Sequence, residues 1–179
     1  MSATLPAPVC QFLRYLPIDE GTLGRFCSAA PKPENGATAK PKFDKTKAAD
    51  RAFHNSFDTY DEALKDAKAN GFKTTRCAHY VRLAIAAGGL QIQPPKSEAA
   101  KDFGPKLIVA GFHPVGQKGY IQKPGDVIVY QSIAGHPDGH MQIYDGDEWV
   151  SDFTQNSIWP SNTNAAWKKA SYTIYRFPD

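Results

Sequence analysis

A thiol, an imidazole and a carboxylate are enough to hydrolyse an amide bond, and this chain has one residue of each type in a spacing that suits the chemistry. The thiol is Cys77, in the stretch Thr74-Thr75-Arg76-Cys77-Ala78-His79-Tyr80-Val81 that runs on to Gly88 and Gly89. A thiol nucleophile needs a base within hydrogen-bond reach, and that base needs a third group to fix its tautomer. Five histidines are available. His79 follows Cys77 by two residues and projects to another side of a helix; His54 and His113 sit in irregular segments without a visible partner. Of His136 and His140, the second opens a β-run directly after Gly139, whose missing side chain lets a backbone or substrate come close. The carboxylate is Asp152.

The elements that must hold these groups follow from patterning. Tyr80, Val81, Ala84 and Ile85 recur at helical spacing and make one apolar face over residues 74–89, which Gly88 and Gly89 close. Thr74 or Thr75 is the expected N-cap. Cys77 then lies on the first turn, where the helix dipole and unused amides favour a thiolate. In Gly-His-Met-Gln-Ile-Tyr, residues 140, 142 and 144 share one face of a strand. A tight turn over 145–148 folds Trp149 to Phe153 back alongside and brings Asp152 to within a residue of His140 in register.

Taken in order, residues 1–30 are broken by prolines into short pieces, with helices expected around 8–15 and 21–28, and residues 31–47 read as a surface loop. A helix capped by Asp58 is expected over Thr59 to Asn70. Residues 107–112 fit a helix end or a strand. Val127–Tyr130, His140–Tyr144, Trp149–Phe153 and Tyr172–Phe177 read as strands of an antiparallel meander. Helices first and strands afterwards make an α+β domain. The 179 residues suit one domain, with 1–50 a loop-rich segment packed on it.

Net charge is +3, too mild for a nucleic-acid binder and without a run of Lys/Arg and aromatics to support one. No stretch is long and apolar enough to span a membrane, and the N-terminus lacks the pattern of an export signal. Cys10, Cys27 and Cys77 have no metal-type spacing. Cys10 and Cys27 can close a disulfide loop, or all three can be reduced and buried.

A helix starting with Cys77, then Pro-Gly-Asp-Val-Ile-Val-Tyr (124–130), then Gly-His-Met-Gln-Ile-Tyr-Asp-Gly (139–146) resembles the papain-like NlpC/CHAP cysteine peptidases. Within that group the chain is similar to type VI secretion amidase effectors. The resemblance implies a small antiparallel sheet with helices packed on it, and it makes Cys77 the nucleophile, His140 the base and Asp152 the orienting acid, with no cofactor and no metal. It further implies synthesis in the cytoplasm, delivery into a rival's periplasm by a secretion apparatus, cleavage of peptidoglycan stem peptides, and a cognate immunity protein that blocks the cleft. The papain group carries Gln shortly before its Cys as an oxyanion donor; here Gly71, Phe72 and Lys73 stand there.

Other chemistries fit parts of the pattern. A muramoyl–alanine amidase or a housekeeping or phage wall hydrolase uses the same triad, and an acyltransferase uses the same fold. His136-Pro-Asp-Gly-His140 offers zinc ligands, although Pro137 and Gly139 break one-face helical spacing. A binding module with a vestigial triad is the non-catalytic alternative. Loops 31–57, 91–106, 131–139 and 154–170 are the expected cleft walls, and Trp159 and Trp167 read as core residues before sugar or peptide contacts.

Overall fold

Ala48, Ala49 and Ala52 recur at helical spacing behind Asp44, whose carboxylate accepts from the Lys47 amide at 3.1 Å and caps the first helix, α1 (Lys45–Asn55). The computed structural model describes residues 41–179. The helices expected around 8–15 and 21–28, and any Cys10–Cys27 bond, lie outside the described residues. The loop-rich reading of 1–50 and the loop reading of 31–47 are corrected at their ends, because α1 starts at Lys45. Its low hydrophobicity hid it; three alanines are enough because the helix buries only a narrow stripe against its neighbour.

α2 (Tyr60–Ala69) is capped by Thr59, one residue beyond the expected Asp58, in a reciprocal box with Glu62. α3 (Cys77–Ala87) carries the cysteine on its first residue. The helix ends at Gly88 and Gly89, the latter at φ +97°; a Cβ on Gly88 would lie 2.4 Å from the Phe43 ring, and the Asp44 amide donates to the Gly88 carbonyl at 2.9 Å. That bond ties the end of α3 to the start of α1. A 3₁₀ turn at Ala100–Asp102 leads into α4 (Gly104–Val109), so the apolar run from 107 ends a helix.

Six strands follow: β1 (His113–Val115), β2 (Val127–Tyr130), β3 (His140–Tyr144), β4 (Trp149–Val150), β5 (Thr154–Gln155) and β6 (Tyr172–Arg176). They form one antiparallel sheet in the order β1-β6-β2-β3-β4-β5. The α+β class stands. The expected meander holds only from β2 to β5, because β6 enters between β1 and β2. The run expected over 149–153 also divides: the chain turns at Ser151, whose amide donates to the Phe153 carbonyl, and re-enters the sheet as β5.

The sheet separates two cores. Val127, Val129, Met141, Ile143 and Val150 point to the face covered by α3, against Val81, Ala84 and Ile85. Ile128, Tyr130, Tyr144, Trp149 and Ile174 point to the other face, which Trp167 covers from the loop before β6. Asp126, 1% exposed, fastens the foot of the sheet: its carboxylate accepts from Arg176 at 2.7 Å, from the Tyr120 hydroxyl at 2.6 Å and from the Lys123 amide at 2.8 Å. A buried carboxylate is tolerable only with such a complete set of donors.

Candidate active site

The first residue of α3 meets the first residues of β3. The backbone amides of Met141, which follows His140, and of Ala78 act on the Cys77 thiol in the direction that favours the thiolate. Cys77 opens α3 and His140 opens the strand on which α3 packs, and no sulfur–imidazole hydrogen bond joins them among the described residues. Both are buried, Cys77 at 8% and His140 at 5% exposure.

The glycine before the histidine makes the approach possible. Gly139 has φ +70°, and a Cβ there would stand 2.2 Å from the Tyr130 carbonyl. His140 lies directly across from Tyr130 on β2, with its ring among Trp167 (5.9 Å), Phe153 (6.1 Å) and Tyr130 (6.4 Å). Aromatic surroundings cannot solvate a cation. Burial, helped by the field of His136, therefore pushes the imidazole down to about 3, against a contact with Gln142 that favours the charged ring.

The third group departs from expectation. The amide of Gln155 faces His140, with nitrogen to ring Nε2 at 3.3 Å, and it bonds the Ser151 hydroxyl at 2.7 Å. Asp152 goes elsewhere: its carboxylate accepts from the Arg76 backbone amide and from the Ser151 hydroxyl at 3.1 Å. The expected His140–Asp152 hydrogen bond is corrected on the register. Ile143 pairs with Val150, so continuation would put Met141, and not His140, opposite Asp152. A one-residue offset sends a side chain to the other face. Gln155 pairs with Trp149, which pairs with Tyr144, so Gln155 shares the face of residues 140, 142 and 144. The missed signal was the second turn at Ser151-Asp152.

Asp152 is instead the cap of the cysteine helix. Arg76 is the N-cap residue and its own side chain makes no cap bond, nor does Thr74 or Thr75 take that place. The Phe57 amide donates to the Asp152 carbonyl at 2.8 Å and the Thr154 amide to the Phe57 carbonyl at 3.0 Å, so the loop after α1 holds the capping residue. The thiolate expected from the helix dipole is corrected too. Burial, then the field of Asp152, pushes the Cys77 thiol up to about 12, and the Met141 and Ala78 amides only partly offset them. Cys77 and His140 rest as neutral thiol and neutral imidazole.

A cleft of about 540 Å³ opens beside Cys77. Its walls include residues 72–79 and Arg82, the expected segments 91–106 (Pro94, Ser97 to Ala100, Phe103) and 131–139 (Gly135 to Gly139), and Tyr60. Lys101 holds the second of these in place, its ammonium donating to the Pro137 carbonyl at 2.8 Å and its amide to that of Asp138 at 2.9 Å. Loop 154–170 does not line this cleft; Trp167 is buried and Trp159 packs beside it on the aromatic face. The His136 ring lies tilted against Trp167, 5.2 Å between centroids. No group of three or more His, Cys, Asp or Glu able to hold a metal ion occurs among the described residues, and none of their helices is long and apolar enough to cross a membrane.

A thiol on the first residue of a helix, lining a cleft beside an antiparallel sheet, defines the class: an α+β protein with a cysteine in its cleft. No protein-family model matches the chain, and no curated protein does. Among solved structures it is similar to the type VI effector–immunity complex Tae3-Tai3 from Ralstonia pickettii, at 38% identity and a TM-score of 0.59 over 76% of this chain and 100% of that one. The selenomethionine form of the same complex matches at 38% identity and a TM-score of 0.57, over 73% and 99%. At that identity and coverage the chain belongs to the family of the type VI effector Tae3.

Proposed function

We propose that this protein is a cysteine-dependent amide hydrolase of papain-like NlpC/CHAP type that cuts peptidoglycan stem peptides. The observation that supports the reading is the placing of Cys77 in a cleft whose wall runs through Gly139, the residue before His140, in a chain of the Tae3 family. The motif resemblance supplies the bond type and the polymer. Delivery by a type VI apparatus to a target cell's periplasm, and neutralisation by an immunity protein, are supported by the effector–immunity complex in which the relative was crystallised.

In this reading the resting pair is neutral, so the sulfur is deprotonated as it attacks. Cys77 adds to the amide carbonyl while its proton passes to His140; the Cys77 backbone N–H, at the helix start, donates to the developing oxyanion. His140 then protonates the leaving nitrogen, and a thioester remains. Water enters, His140 takes its proton, and the thioester opens to the carboxylic acid and free thiol. For this the nitrogen of His140 that takes the proton must start unprotonated. In this reading it is Nδ1, so Nε2 carries the ring proton; Gln155, with its amide turned to present Oε1, accepts it, and the Ser151 hydroxyl then donates to Gln155 in place of Asp152. Asp152 acts on the nucleophile's side, by fixing the first turn of α3.

Digestion of purified muropeptides followed by mass spectrometry tests the proposal and separates stem-peptide endopeptidase from muramoyl–alanine amidase. Cys77→Ala is expected to lower turnover by about 10⁴-fold or more while the variant stays folded, as its circular dichroism spectrum checks. Full activity in that variant would sink the nucleophile assignment.

A further inference from the structure

The wall of the cleft formed by α3 is cationic in a regular way. Arg76, His79 and Arg82 are three residues apart, so they stand on one side of the helix, and all three line the cleft beside the sulfur. Lys73 joins them on the approach to α3. The guanidinium of Arg76 lies 4.0 Å over the Phe72 ring, an arrangement that orients the charge without neutralising it. Among the described residues, no carboxylate comes within 4.0 Å of Lys73, Arg76 or Arg82 in an ion pair. The carboxylates of the cleft are Glu98 and Asp138, from the segments that face α3. His79, between the two arginines, is half-buried, and its ring is held below its ordinary value first by burial and then by both guanidiniums. It is a neutral donor in a positive field.

Charges placed at fixed spacing along the wall of a cleft, partly desolvated and without an internal partner, are arranged for an anion brought from outside. Guanidiniums select planar carboxylates by paired N–H donors. The geometry points to a carboxylate subsite made by Arg76 and Arg82, with Lys73 at its outer end, that binds a free carboxylate of the peptide on one side of the scissile amide. This deepens the proposed hydrolase function and rests on it for the identity of the substrate.

The test compares a stem-peptide muropeptide bearing free carboxylates with the same muropeptide after their conversion to carboxamides. Arg82→Gln is expected to raise KM by about tenfold or more on the carboxylate form and by under about twofold on the amidated form, with Arg82→Lys between them. Equal KM changes on both forms, or no change on either, overturn the subsite while leaving the hydrolase reading intact. If the wild-type protein cleaves neither form, the hydrolase reading fails, and calorimetry still decides the subsite. In that arm the carboxylate muropeptide is titrated into Cys77→Ala with and without Arg82→Gln. An affinity loss of about tenfold supports the subsite and equal affinity overturns it.

Discussion

The two faces of the sheet are built from different materials, and the site uses one from each. The face under α3 is aliphatic: Val127, Val129, Met141, Ile143 and Val150 make a seat on which a helix rich in alanine packs closely. The face away from α3 is aromatic and holds the imidazole, with Tyr130, Phe153 and Trp167 around it and Gln142 and Gln155 as its polar residues. Cys77, the proposed nucleophile, belongs to the first core, and His140, the proposed base, borders the second. The two cores come together where β3 begins, at the Met141 amide that acts on the Cys77 thiol. Aliphatic packing sets where the sulfur is; aromatic packing sets which way the ring points and keeps it uncharged.

The sharpest way to break this division is at the edge itself. Gly139→Ala forces a side chain onto the Tyr130 carbonyl at a left-handed backbone position. It is expected to cost about 1–3 kcal/mol of stability and to lower kcat by about a hundredfold, read by thermal melting and initial rates. Stability lost without loss of kcat would show that the base does not depend on that approach.

A smaller effect is expected inside the aromatic face. Gln155→Ala removes the amide beside His140 and should lower kcat by about tenfold to a hundredfold with KM little changed. Gln155→Glu places a carboxylate beside the ring, so the imidazole should titrate at higher pH, and the acid limb of the kcat profile should move up with it. Asp152→Asn should leave that limb in place, since its carboxylate bonds the Arg76 amide. A shift of the limb in Asp152→Asn and none in Gln155→Glu would restore the aspartate to the imidazole.

The smallest effects separate the faces by pH. The His140 ring titrates near 3 in the folded chain against 6.5 ordinarily, so its contribution to stability is present above 6.5 and lost as pH falls from there towards 3. Cys77 is the opposite case. Held at about 12 against 9.0, it contributes fully below 9.0 and loses that contribution as pH rises through 12. His140→Phe should flatten the acid side of a stability–pH curve, and Cys77→Ala the alkaline side, each leaving the other side alone. Denaturant melts across pH check both.

Strand positions 127–130 and 140–144 and the helix after Cys77 were legible because their apolar periods are regular and glycine ends them. That Cys77 opens a helix and His140 a strand followed from residue types and order. Three things were not legible. α1 buries alanines, which carry little hydrophobic signal, so it read as a loop. β4 lasts two residues before Ser151 turns the chain, and that turn decides whether Asp152 or Gln155 shares the face of His140. The charge state of Cys77 depends on how much of the chain covers it, which a local helix-dipole argument does not contain.

The cap on α3 comes from a residue seventy-six positions later in the chain. The peptide before Cys77 is thus positioned by a residue from the far end of the domain, itself held by the loop after α1. In the proposed hydrolase the geometry of the nucleophile then belongs to the finished tertiary structure and not to the helix alone.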